Sequence, residues 1–278
     1  MTRYGMVIDV DRCTGCFNCF LACRDEHAGN DHPPVSAAQP DGHSWIKVRE
    51  LERGSFSKVK VSYVPVPCLQ CTDAPCMRAA TGGAMVRRPD GIVIIDPDKA
   101  VGQRGIVSAC PYGAVFWNEA RNLPQKCTFC AHLLDDGWKE PRCVESCPVQ
   151  ALVFGDLDDP ASDVARLRAE RRIEALAPKP AAQPPVGYLG LPACFLAGEI
   201  VLGDRSEECP EGVPVRLRHR QQMVAVATDN YGDFKSNGLK PDAEYVLSIE
   251  HAGYEPRELR VDSDADPNVG TIVMEPAP

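Results

Sequence analysis

The 278-residue chain carries a formal net charge of -9 and fourteen cysteines. Its length allows more than one core, its acidic balance argues against a nucleic-acid partner, and no apolar run reaches the roughly 18 to 20 residues that a membrane-crossing helix needs. So many cysteines belong to disulfides or to metal; the opening MTRYGMVIDV lacks a basic segment followed by an apolar one, so a cytoplasmic, metal-binding protein is expected.

In chain order, residues 5–10 (GMVIDV) alternate as a short strand and deliver the chain to Cys13, Cys16, Cys19 and Cys23. Phe17, Phe20, Leu21 and Ala22 fit a helical turn that carries Cys23 away from the first three. Residues 24–60 are mixed, with Pro33-Pro34 and a hairpin candidate around Glu52, Arg53 and Gly54, and are expected to form an insertion over the core. VSYVPVP then leads to Cys68, Cys71 and Cys76, GIVIIDPDKA forms another strand and turn, and SACPYGAV supplies Cys110. A late group follows: Cys127, Cys130, Cys143 and Cys147, the last before Pro148.

Residues 151–159 close this first part. A helix is expected from Ser162 or Asp163 to about Leu176, with Val164, Leu167, Ile173 and Leu176 on one face. The proline-rich APKPAAQPPVGYLGLP reads as a semi-rigid connector. From about 193, FLAGEIVL, VPVRLR, MVAVAT, EYVLSIE, ELRV and TIVM are short β-type runs between turn residues, the pattern of a small sandwich. The expected organisation is α+β: a domain over 1–160 with an insertion at 24–60, a helix and linker over 161–192, and an all-β sandwich over 193–278.

Spacings of two, two and three residues are those by which bacterial-type ferredoxins hold 4Fe-4S cubanes, three thiolates gripping one cluster and the fourth reaching to another. Cross-ligation then gives three sites. The first is Cys13, Cys16, Cys19 and Cys147; the second is Cys23, Cys127, Cys130 and Cys143; the third is Cys68, Cys71, Cys76 and Cys110. A fourth site would fall on Ala80, Ala100, Gln103 and Ile106, none of which can hold iron. Cys194 and Cys209 lie in the tail and read as ordinary thiols. A structural zinc site would account for the late group alone but not for four cysteines within eleven residues. The six histidines show no ligand spacing and read as surface or core residues; His132 is the one considered as a ligand, and the count leaves it no vacancy. Trp45, Trp117 and Trp138 read as core packing, and Lys126 places a positive charge beside a cluster or else points into solvent.

With these motifs in place, residues 1 to about 160 resemble the iron-sulfur subunits of the dimethyl sulfoxide reductase-type molybdopterin oxidoreductases, which hold two fused ferredoxin modules with cysteine groups in this nested order. GHSWIKVRE, PCLQCTDAPC, GIVIIDPDKA, CPYGAVFWNE and QKCTFCAHLLDD, with the β-rich tail, resemble in particular the branch of pyrogallol-phloroglucinol transhydroxylases and resorcinol hydroxylases. VATDNYGDFKSNGL is similar to carboxypeptidase regulatory-like sandwiches. The resemblance implies a double ferredoxin-like domain with three 4Fe-4S clusters and no active site of its own. It also implies a large catalytic partner carrying molybdenum or tungsten on a bis-pterin guanine dinucleotide, hydroxylation or transhydroxylation of a phenolic substrate, and, because the distal fourth site is missing, no membrane anchor subunit. The alternatives are a subunit of a thiosulfate, arsenate or similar reductase, or a stand-alone multi-cluster ferredoxin.

Overall fold

The computed structural model describes residues 2–40, 42–177, 184–263 and 266–278. They divide into two compact units, Met1–Glu50 with Ser62–Leu191, and Leu51–Val61 with Pro192–Pro278.

The first unit is built on the strand Tyr4–Asp9, whose residues 5–8 are buried on both sides. It pairs antiparallel with Leu152–Asp156, so that Ile8 faces Leu152 and Tyr4 faces Asp156. On its other edge it pairs parallel with Val186–Leu189. The beginning of the cysteine-bearing region is thereby hydrogen-bonded to its end. Met6 and Ile8 enter a large apolar cluster with Trp45, Val64, Leu69, Phe129, Leu152 and Tyr188, to which nine of the cysteines also contribute or pack. Residues 4–10 of the chain therefore form the floor on which the cysteine loops are mounted.

The hairpin expected near Gly54 is formed by Lys47–Ser55 and Lys58–Val66. Its tip, Leu51–Val61, groups with the second unit. The expected helix runs over Asp163–Glu170, shorter than the pattern suggested. Val164 and Leu167 still meet Ile173, Val7 and Leu189 in one cluster, and Leu176 joins the main core, so the apolar face continues past the helix end without helical geometry. Part of the expected connector, residues 178–183, lies outside the described residues; the remainder is not free linker, because Val186–Leu189 is a fully buried strand.

The second unit contains two sheets. Cys194–Leu202 pairs antiparallel with Asp233–Leu239 and parallel with Asn268–Met274. Pro214–His219 stands between Gln222–Ala227 and Glu244–Ile249, and the latter pairs with Arg257–Asp262, all antiparallel. Leu196, Ile200, Phe234 and Ile272 of one sheet share a buried cluster with Val215, Leu217, Tyr245 and Leu247 of the other. Alternating burial along Glu244–Ile249 explains why that strand reads so clearly in the sequence.

Candidate metal centres

Three of the four Cys-x-x-Cys spacings turn by the same device. The residue before the second cysteine is left-handed in each: Gly15 at φ 70°, Gln70 at φ 54° and Phe129 at φ 54°. Such turns point successive backbone N–H groups into one concavity, which suits an anionic group. Gly15 is needed for room as well, since a Cβ there would stand 2.6 Å from the Tyr63 ring. The Cys110-Pro111 and Cys147-Pro148 segments repeat one another too. Ala114 N–H donates to Cys110 Sγ at 3.4 Å, and Ala151 N–H donates to Cys147 Sγ at 3.3 Å. In each, the third residue after the cysteine, Gly113 or Gln150, is left-handed.

The thiols of each set named from spacing come together. Burial foremost, then Cys13, pushes Cys19 up to about 12, with Cys147 and Cys16 adding to the effect. Burial and then Cys68 push Cys71 up to about 12 and Cys76 up to about 11, and both also feel Cys110. Cys127 is pushed up to about 12 by burial and by Cys23, while Cys130 and Cys143 are raised well above the usual thiol range by burial, with Cys127 and Cys23 contributing to each. Two links cross between sets: Cys68 acts on Cys127, and Cys19 acts on Cys143. The second set therefore stands between the other two.

Protonated thiols at neutral pH would have to lose their protons to bind metal, so loading is coupled to proton release. An iron-sulfur cluster fits the third set, since Cys68, Cys71, Cys76 and Cys110 line one cavity together with Val93, Tyr112, Val115 and Lys126. Four thiols around an apolar-walled space are the donor set a cubane needs.

Where a fourth site would fall, the residues pack instead of ligating. Ala100 and Ile106 are fully buried in an apolar cluster with Ala84, Val93 and Val115, and Ala80 packs against it. Gln103 bridges backbone: its Oε1 accepts from Thr81 N–H at 2.9 Å and its Nε2 donates to the Lys99 carbonyl at 2.8 Å.

Of the two positions the sequence left open for Lys126, the one beside the thiols is the one it takes, and Gln70 joins it there without any pattern in the sequence having marked it. Lys126 is buried, and its ammonium donates to the carbonyls of Val93 and Cys127, the latter at 2.9 Å. Its charge favours the thiolates of both Cys76 and Cys127. Gln70 is buried and joins two loops, donating to the Cys127 carbonyl at 3.0 Å and accepting from Val93 N–H at 2.9 Å. Trp45 is core, as expected, with its ring centroid 4.2 Å from that of His27. Trp138 is not core: it is 43% exposed, with the Arg142 guanidinium over its ring.

The histidines are not all scattered. His27, His32 and His132 converge beside Cys130. A signal for one of them was present, because Cys19, Cys23 and His27 are spaced by four along the helix Asn18–His27 and are its buried residues. Burial lowers the His27 pKa to about 3, and burial lowers that of His132 too.

Residues 59–157 match the family model described as a 4Fe-4S dicluster domain. Over 99% of its length the chain is 39% identical to the pyrogallol hydroxytransferase small subunit of Pelobacter acidigallici, covering all of that protein. It is 31% identical to the arsenate respiratory reductase iron-sulfur subunit of Shewanella sp. strain ANA-3, over 67% of this chain and 96% of that one. With a tetrathionate reductase subunit of Salmonella typhimurium it shares 36% identity, over 70% of this chain and 75% of that one. Thiol groups mounted on a strand-bound core, the dicluster match and an end-to-end relative place the chain in the family of iron-sulfur, electron-transfer subunits of dimethyl sulfoxide reductase-type molybdopterin oxidoreductases.

Proposed function

We propose that the chain is the electron-carrying subunit of a cytoplasmic, two-subunit enzyme that hydroxylates or transhydroxylates a polyhydroxybenzene. Its large partner would carry the molybdenum or tungsten bis-pterin cofactor and bind the substrate. The alignment with the pyrogallol enzyme's small subunit over the whole length, tail included, carries the choice of substrate class.

In this reading the first unit is a double ferredoxin-like domain and the second a β-sandwich. Cys13, Cys16, Cys19 and Cys147 hold one 4Fe-4S cluster, Cys23, Cys127, Cys130 and Cys143 a second, and Cys68, Cys71, Cys76 and Cys110 a third. Each cluster takes up and passes on one electron. The chain's own part is to exclude water, to donate N–H groups to sulfur and to set local charge, all of which tune reduction potential. Electrons would pass along the row through the central set, the one whose thiols feel both neighbours. The packing of Ala80, Ala100 and Ile106 where a further cluster would sit favours a wire with no exit to a membrane subunit.

The test is co-purification and analysis. Elution with a larger molybdenum- or tungsten-containing chain, iron and acid-labile sulfide each near about twelve per small subunit, and turnover of a polyhydroxybenzene by the complex are expected. Turnover of a sulfur oxyanion or arsenate instead would replace the substrate assignment with the reductase reading. A stable carrier eluting alone would remove the subunit reading.

A further inference from the structure

The cysteine accounting leaves three buried or half-buried imidazoles unused. His27 ends the helix Asn18–His27, His32 lies in the loop after it, and His132 is the second residue of the helix Ala131–Asp135. One ring nitrogen from each lies within 4.8 Å of the other two.

Each Nε2 faces an acceptor. His132 Nε2 is 2.9 Å from Glu26 Oε1, His32 Nε2 is 3.2 Å from the Glu26 carbonyl oxygen, and His27 Nε2 is 3.9 Å from Cys130 Sγ. The carboxylate and the carbonyl want a proton from the ring, and so does the Cys130 sulfur once it is a thiolate bound to iron. The tautomer they select places N–H on Nε2 and leaves the Nδ1 lone pair free, which is how protein partners prepare a histidine to bind metal. The Nδ1 atoms of His27 and His132 are buried and have no hydrogen-bond partner, and His27 is only 1% exposed. Buried polar atoms without partners are rare unless something else meets them.

We propose that His27, His32 and His132 bind one divalent transition-metal ion of the zinc type through one ring nitrogen from each, in His27 and His132 the unpartnered Nδ1. Three neutral imidazoles suit zinc and its first-row neighbours, whereas magnesium and calcium seek oxygen. Glu26 is the outer partner: its carboxylate orients His132 and is itself held by Arg142 Nε at 3.2 Å. The His27 ring stands at 85° to His32 and 73° to His132, so the third nitrogen approaches from a separate direction. His32 and His132 are stacked, with centroids 3.7 Å apart at 12°. Binding requires that pair to splay, because a metal bound through an in-plane lone pair must lie near the plane of each ring, and two nearly parallel rings 3.7 Å apart share no such point. The ion would pin the end of one cysteine-bearing helix, the loop after it and the start of another helix. Through His27 it would strengthen the N–H donor facing Cys130.

The intact complex, dialysed anaerobically against a chelator, is titrated with zinc chloride alone, dialysed again, and assayed for zinc and iron. One retained zinc per chain, unchanged iron, and a zinc-edge X-ray absorption spectrum fitted by nitrogen at about 2.0 to 2.1 Å are expected. The His32→Ala variant, altered at the ring most distant in sequence from any cysteine, should keep its iron and lose that zinc. No retained zinc, several zinc ions per chain retained equally by the variant, or sulfur scattering at about 2.3 Å would each overturn the proposal. If His32→Ala does not accumulate, the spectrum of the unsubstituted protein decides by itself. Iron content reports separately on the cysteine sites, so failure of the one assignment is distinguishable from failure of the other.

Discussion

Lys126 is a buried ammonium between two sets of thiols, and its position gives it a direct electrostatic role. A positive charge near a cluster stabilises the reduced state, in which the cluster carries one more negative charge. Lys126→Met keeps the aliphatic stem and removes the charge, and it leaves the carbonyls of Val93 and Cys127 without that donor. One or two cluster midpoint potentials should fall while iron content stays the same, about 59 mV for each roughly 1.4 kcal/mol of interaction lost; an EPR-monitored redox titration reads this directly. Unchanged potentials would mean that the charge is compensated. Burial of this lysine could not be read locally, since Lys126 borders Cys127 in a segment whose neighbours along the chain do not reveal that Val93 closes over it. The cysteines were legible for the opposite reason: the left-handed turns that bring Cys13 to Cys16, Cys68 to Cys71 and Cys127 to Cys130 together are set within four residues. His32 and His132 meet only through tertiary packing, and nothing in their spacing announces it.

At the level of elements, two attachments matter most, and neither was visible as a pattern. The hairpin tip is held within the second unit by Arg53, whose guanidinium pairs with Asp266 and donates to the Pro192 carbonyl at 3.2 Å. Asp266 also accepts from Phe195 N–H at 2.8 Å, and its side chain is only 3% exposed. Arg53→Ala strands that carboxylate and should cost about 3 kcal/mol, seen as an earlier urea transition of the second unit. The strand Val186–Leu189 is the other attachment. The Tyr188 hydroxyl donates to the Pro65 carbonyl at 3.1 Å, and burial raises its pKa. The folded phenol thus stays protonated above about pH 10, where an unfolded tyrosine ionises. Its contribution to stability is complete below that pH and declines as pH rises past it. Tyr188→Phe should cost roughly 1 to 2 kcal/mol near neutrality, and the variant should lose less stability than the parent between about pH 9 and pH 11.5 in thermal melts. Within the described part of the connector, prolines and glycines at 184–192 signal extended chain, but a connector and a fully buried edge strand share that composition, and only pairing with Tyr4–Asp9 distinguishes them.

The whole chain is divided differently from the way its sequence is punctuated, and the difference has a test. Composition changes after the prolines, yet the first unit extends to Leu191 and the second recruits residues 51–61 from the middle of the first. A chain ended just before Val186 would lose the parallel partner of the strand that carries Met6, Val7 and Ile8, three residues with no exposed surface, and would lose Tyr188 from the same core. Burial of one such side chain contributes about 1.5 to 3 kcal/mol, so losing Val186, Tyr188 and Leu189 removes roughly 5 to 9 kcal/mol, comparable with the whole stability of an ordinary domain. A chain ended after Leu191 keeps the strand and every cysteine of the three sets, at the cost of leaving the hairpin tip without Asp266 and Asp233, its ion-pair partners. The longer truncation product should therefore be recovered with about the same iron per chain as the full protein, while the shorter one, only six residues less, should be insoluble or nearly iron-free. Equal iron in both would show that the sheet around Tyr4–Asp9 does not support the cysteine loops; loss of iron from both would show that the C-terminal sheets are required for the first unit to fold.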